Sequence, residues 1–300
     1  MTSSQPKLSP AELVYKMIAA MTKLIDGSAE IVNKYENQPV ANSIALKEMD
    51  SFADRELVLD VYARASLCFE SAADHLMAFS CTLKEPAKTL SPYTCIRSLL
   101  ESSALTLWLL DINIDATERV GRCFGFRHKE FKEQIKFFEA DRVNTHEAQI
   151  EIDKVNRRMT VVENKAIALG YPQLSKNGKI TGIATHMPET IGLVKLILNN
   201  ESEYRLLSSV AHSYLWATRQ VGFKIIEATD TNGQKIKAVK KHVHPQMVLF
   251  GINLAIPTFA RVFWTIGKLY GWNMQEVEEL LDRVFDEIGF KSSVRFWRQP

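Results

Sequence analysis

The stretch from Met247 to Tyr270 leaves this chain few ways to fold. It is the longest apolar run in the sequence, and a segment of that length either crosses a membrane or lies inside a helical core. Asn253, Pro257, Arg261 and Lys268 interrupt it. A charged Arg near the middle of a span costs roughly 2.5–3.5 kcal/mol on insertion scales, which disfavours a membrane. The segment therefore reads as a buried core helix kinked at Pro257.

The rest of the chain carries helix signals to surround it. Ser9-Pro10-Ala11-Glu12 is a capping box with Pro at the first helical position, and it opens a helix to about Tyr35. Leu13, Met17, Ala20, Met21, Leu24 and Ile25 keep a helical period behind it. A second helix is predicted from Phe52 to Lys84 and a third from Ser91 to Leu110. Asp115-Ala116-Thr117-Glu118 caps a helical pattern that continues to Leu169, broken near Asp141 to His146 and ended by Gly170. Within it, residues 129–165 are highly charged with sparse apolar positions, and residues 129–169 read as a protruding helical hairpin arm or a dimerisation arm.

Tyr171 to Met187 is polar and glycine-bearing and reads as a loop. Helices are predicted again over Pro188–Leu198 and Ser202–Gln220. Val221–Ala228 and Lys235–Val243 flank Thr231-Asn232-Gly233, a β-hairpin signal. A last helix, capped at Asn273, runs from there to Ile288. The expectation is an all-α fold: one domain over residues 1–300, a bundle of about seven to eight helices with a long helical hairpin arm, and a small β-hairpin insertion near 221–243.

Composition narrows the function classes. Lys and Arg number 37 against 35 Asp and Glu, so no global basic field argues for nucleic acid, and any such site must be a local patch. Cys68, Cys81, Cys95 and Cys123 are widely spaced and form no metal pattern, consistent with free thiols in a reducing compartment. Met1 to Pro10 is polar, without an apolar leader, so a cytoplasmic location is expected. Walker, dinucleotide, HExxH and serine-elbow patterns are missing, so neither cofactor nor metal is expected. His242 and His244 form a two-histidine pair with no third ligand at metal spacing.

Four constellations could carry chemistry. The first is Tyr204-Arg205-Leu206-Leu207-Ser208-Ser209-Val210-Ala211-His212. Seven residues make almost two helical turns, so Arg205 and His212 share one stripe with Ser208 and Ser209 between them. Arg can clamp a phosphate through two parallel hydrogen bonds, and His can move protons near neutral pH. Arg122 to His128 is a second, similar interval.

The second lies on the apolar third helix, where Arg97 and Glu101 stand four apart; they either pair in the core or line a polar cleft. Third, His75, beside Asp74, is either a satisfied core histidine or part of one pocket with Arg97, Glu101 and His212. Fourth, Arg119 and Arg122 fall on one stripe, with Phe124 and Phe126 nearby for stacking. That stripe is either a phosphate and RNA contact or a solvated face balanced by Glu118, Glu130 and Glu133.

The Arg-x6-His interval on a helix resembles the motif of the HEPN superfamily, helical-bundle proteins that include many ribonucleases of toxin and antiphage systems. In that family a polar residue usually follows the Arg; here it is Leu206. The resemblance implies a homodimer that pairs two such helices, with a possible cognate antitoxin or defence partner, and RNA as substrate. The expected activity is metal-independent endoribonuclease cleavage by the 2′-hydroxyl. Arg205 would hold the phosphate and His212 would act as base or acid. Ser208, Ser209 and Tyr204 would orient them, and His75, Arg97 and Glu101 would form a supporting polar shell. The alternative is a non-enzymatic helical module for ligand binding or protein interaction.

Overall fold

The computed structural model describes residues 9–140, 145–176 and 179–289. The first helix, α1 (Pro10–Lys34), starts as its capping box dictates: Ser9 Oγ accepts from the Glu12 N–H at 3.3 Å, and Glu12 Oε2 accepts from the Ser9 N–H at 2.7 Å. It is followed by α2 (Ile44–Ser51), α3 (Arg55–Thr82), α4 (Ser91–Leu109), α5 (Ala116–Glu139) and α6 (Thr145–Ala168). A two-stranded antiparallel sheet, β1 (Gln173–Lys176) and β2 (Lys179–Ile183), precedes α7 (Thr190–Leu198), α8 (Glu201–Ala211) and α9 (Leu215–Val221). The second antiparallel pair is β3 (Phe223–Thr229) and β4 (Lys235–Lys241), and α10 (Pro245–Tyr270) and α11 (Met274–Glu287) close the chain.

The all-helical class holds, but the helix count does not. Eleven helices occur among the described residues, not seven to eight. The short α2 has only eight residues, too few to show a period, although Ser43 does cap it by accepting from the Leu46 N–H. The helix expected over 202–220 is two helices, because His212 ends α8 and Ser213 turns left-handed at φ 58°. The loop expected over 171–187 contains β1 and β2. Strands of four and five residues, part of a pair with an irregular register, give too little alternation to read. The hairpin docks on α5 at Gly125, where a Cβ would overlap the Thr185 carbonyl oxygen.

The core is built around α10. It packs on α1 and α4, while α3 and α4 pack along one another. Phe69 on α3 stacks on Phe259 at 5.8 Å between centroids, and Phe259 stacks in turn on Phe263. The helix continues through Pro257, whose ring nitrogen has no proton to donate. By length and composition α10 is one helix long and apolar enough to cross a membrane, yet 61% of its most apolar window is buried inside the fold. Helices α5 and α6 pack against one another.

Most of the polar start read at Met1–Pro10 and most of the break expected at Asp141–His146 lie outside the described residues.

Candidate nucleic-acid interface

The α8 helix has two faces that do different things. Tyr204, Leu207 and Val210 are buried against the bundle, as their three-residue spacing requires. Arg205 and His212 lie on the opposite, exposed side, with Ser208 and Ser209 half-buried between. Arg205 is bound to Glu201, one turn earlier, through Nε at 3.1 Å and Nη2 at 2.8 Å. Lys195 holds the other oxygen of Glu201 at 2.8 Å, and these two hydrogen bonds, Lys195 first, keep its carboxyl below the usual range. His212 is the C-cap of α8, with its ring 6.0 Å from that of Tyr214.

Tyr204 does not join Arg205 and His212, because it points the other way. Its hydroxyl donates to Glu101 Oε1 at 2.7 Å, and Arg97 lies over its ring at 5.7 Å. Burial, followed by the Glu101 carboxylate, raises the phenol pKa. Arg97 and Glu101 pair at 3.0 Å, although Arg97 Nε lacks an aligned hydrogen-bond acceptor. The structure thus brings Tyr204, Arg97 and Glu101 together behind α8, and leaves Arg205 and His212 in front of it. His75 is half-buried on α3.

The Arg119 and Arg122 stripe is taken up inside the protein. Arg119 is 1% exposed, and its guanidinium meets both Glu48 oxygens at 3.1 and 3.2 Å and the carbonyls of Leu109 and Ile114. The Tyr62 hydroxyl donates to the same Glu48 carboxylate at 2.8 Å. No surface phosphate can reach Arg119 in this position. Arg122 donates to the Trp108 carbonyl at 2.7 Å and to Glu118 at 3.0 Å. His128, the end of the second Arg–His interval, is 3% exposed and lies 3.0 Å from Glu163. Burial, then the Lys132 charge, lowers its pKa.

The thiols are unpaired, and Cys81 is exposed. Burial pushes Cys68 and Cys123 up to about 12, so both are protonated at neutral pH.

Beyond His212 the surface changes character. Tyr214 and Trp216 are 56% and 52% exposed, and Arg219 on the same short helix is exposed. Large rings this open to water are costly unless something covers them. Helix α9 packs on both α8 and β3, so these side chains continue directly into the second hairpin. None of the fourteen strand residues of that hairpin is buried. Its Lys224, Lys235, Lys237, Lys240 and Lys241 are all exposed. From His212 to Lys241 six Lys and Arg face two acids, Glu227 and Asp230, in a chain whose total imbalance is +2, so the rest of the chain carries an excess of acids. This is the local basic patch that a nucleic-acid site requires.

The Asn-Gly turn marks this hairpin in the sequence but says nothing of its charge. The signal was the run Lys235-Ile236-Lys237-Ala238-Val239-Lys240-Lys241, with lysines on both faces of one strand. None of its residues is buried, so the strand stands in solvent. Comparison with known protein families, with curated proteins and with solved structures found no match.

Proposed function

We propose that this chain binds single-stranded RNA along α8, α9 and the β3–β4 hairpin, and that His212 with Arg205 makes part of that surface a metal-independent cleavage site. The observation that carries this reading is the exposed run from His212 to Lys241, in which two open aromatic rings lie beside a concentrated basic hairpin. Bases stack on rings such as Tyr214 and Trp216 whatever their identity, while lysines follow the phosphates. A-form duplexes offer no unstacked bases, which favours single strands.

In the cleavage step His212 takes the 2′-hydroxyl proton as the 2′-oxygen attacks phosphorus. The bond to the 5′-oxygen breaks, that oxygen takes the proton from the His212 imidazolium as it leaves, and a 2′,3′-cyclic phosphate remains. Arg205 exchanges its exposed partner Glu201 for the phosphate, a replacement of one charge-assisted contact by another. In this reading two copies pair so that two α8 helices face each other. Light scattering checks that state directly.

The test uses a fluorescent single-stranded RNA with EDTA present. Binding with release of 2′,3′-cyclic ends, lost in His212→Ala but with binding kept, is expected. Cleavage unchanged in His212→Ala, or cleavage wholly dependent on divalent metal, would sink the mechanism. Absence of RNA binding would sink the interface as well.

A further inference from the structure

A second site lies in the bundle itself, where the end of α4, the α4–α5 connection, α5, α7 and α10 meet. They enclose a cavity of about 270 Å³, lined among others by Trp108, Asp111, Asn113, Arg122, Arg261 and Trp264. Two tryptophans are among its lining residues, and both are themselves largely buried. Trp264 is held in place by its indole N–H, which donates to Glu278 at 3.2 Å. Trp108 carries the Arg122 guanidinium over its ring at 5.6 Å.

The two arginines of the cavity are not equivalent. Arg122 is matched: it meets Glu118 at 3.0 Å and Asp111 at 3.6 Å, and it donates to the Trp108 carbonyl. Arg261 is not. It donates one N–H to the Ile197 carbonyl at 2.7 Å, and no carboxylate lies within ion-pair distance among the described residues. A guanidinium has five N–H donors, and a half-buried one without a counter-ion is costly. Burial accordingly lowers its pKa, with only Asp111 opposing from a distance.

We propose that this cavity binds a small aromatic monocarboxylate, its ring between the Trp108 and Trp264 walls and its carboxylate on Arg261. A carboxylate accepts two parallel N–H bonds from a guanidinium and supplies the missing charge. A dianionic phosphate is disfavoured, because Asp111 stands in the same wall and Arg122 is already neutralised by its acids. The cavity is below the usual size for drug-like ligands, which limits the occupant to one or two fused rings. The site shares no residue with the proposed RNA surface, so either can fail alone.

The experiment titrates the full-length protein with benzoate, salicylate, 4-hydroxyphenylacetate and indole-3-acetate, each beside its carboxamide. Intrinsic tryptophan fluorescence and melting temperature are followed together. Saturable quenching and a rising melting temperature are expected for at least one acid, with affinity at least about tenfold weaker for its amide, a difference of roughly 1.4 kcal/mol. Arg261→Gln should weaken the acid by a similar factor while leaving the amide unaffected. Should Arg261→Gln not fold, Thr265→Leu, which adds bulk to the cavity wall and keeps the guanidinium, should abolish the quenching. The proposal is overturned if none of the four acids saturates by about 10 mM. It is equally overturned if acid and amide bind alike, or if a folded Arg261→Gln or Thr265→Leu binds as well as the original.

Discussion

Arg119 and Arg205 both stand on helices in charged sequence, and their fates are opposite. Arg119 is enclosed by Glu48, Tyr62 and two backbone carbonyls, at 1% exposure. Arg205 stands 63% exposed with one carboxylate from its own helix. The first is fixed in a buried network; the second can change partners. The difference lies in what covers each helix, since α5 is packed on α3 and α6 whereas the outer face of α8 meets solvent. An arginine therefore announces a possible phosphate clamp only where its donors are left free or held by an exchangeable partner.

Breaking the buried side of this contrast should have the largest effect. Glu48→Ala leaves Arg119 buried without its counter-charge, and a loss of about 3–5 kcal/mol is expected in urea denaturation. The double variant Glu48→Leu with Arg119→Met should recover much of that loss, because two apolar groups need no compensation. If the single variant unfolds at the same urea concentration as the original protein, the buried network does not have the role given to it.

The exposed side is probed next. Changing Lys235, Lys237, Lys240 and Lys241 together to Gln should lower single-stranded RNA affinity by about 100-fold at low salt. The slope of log affinity against log salt should fall by about 3, since each lost phosphate contact removes roughly 0.7. The melting temperature should hardly move, as no residue of β4 is buried. Trp216→Ala should cost about 1–3 kcal/mol of RNA affinity through lost stacking, with little change in salt slope. A uniform loss of stability in either variant would place those side chains in the fold rather than at an interface.

A smaller effect separates the two Arg–His intervals. His128 is buried with a lowered pKa, so the folded state binds its proton less readily than the unfolded chain. Its contribution is present above the unfolded value near 6.5 and is lost as pH falls through the lowered folded value. His128→Gln should flatten the fall in stability on acidification over that window, measured by denaturation at stepped pH. His212→Gln, on an exposed histidine, should leave the melting temperature at neutral pH unchanged.

Much of the helical framework could be read from residues alone, because its signals are local. The Ser9 capping box, the Asp115 cap and the Asn-Gly turn are satisfied within a few residues of themselves, and α1, α5 and the second hairpin follow. Reading failed where an element was too short to show a period, as in α2, β1 and β2. It failed again at Ser213, where one left-handed residue splits what looks like a single helix. The candidate sites were legible only in their chemistry. Tyr204 and Arg205 are adjacent in sequence, yet one reaches Glu101 inside and the other Glu201 outside, as successive helical positions must when only one face is covered.

Arg261 shows the division most clearly. Its sequence position inside the apolar run argued against a membrane, and nothing more could be drawn from it. The sequence by itself determined the helical class, the apolar helix at its centre and the second hairpin. Only tertiary packing decided that Arg119 is sealed against Glu48, and that Arg261 opens into a cavity with two tryptophans. Periodicity and caps act between near neighbours, whereas burial and the supply of counter-charges come from segments tens to hundreds of residues away.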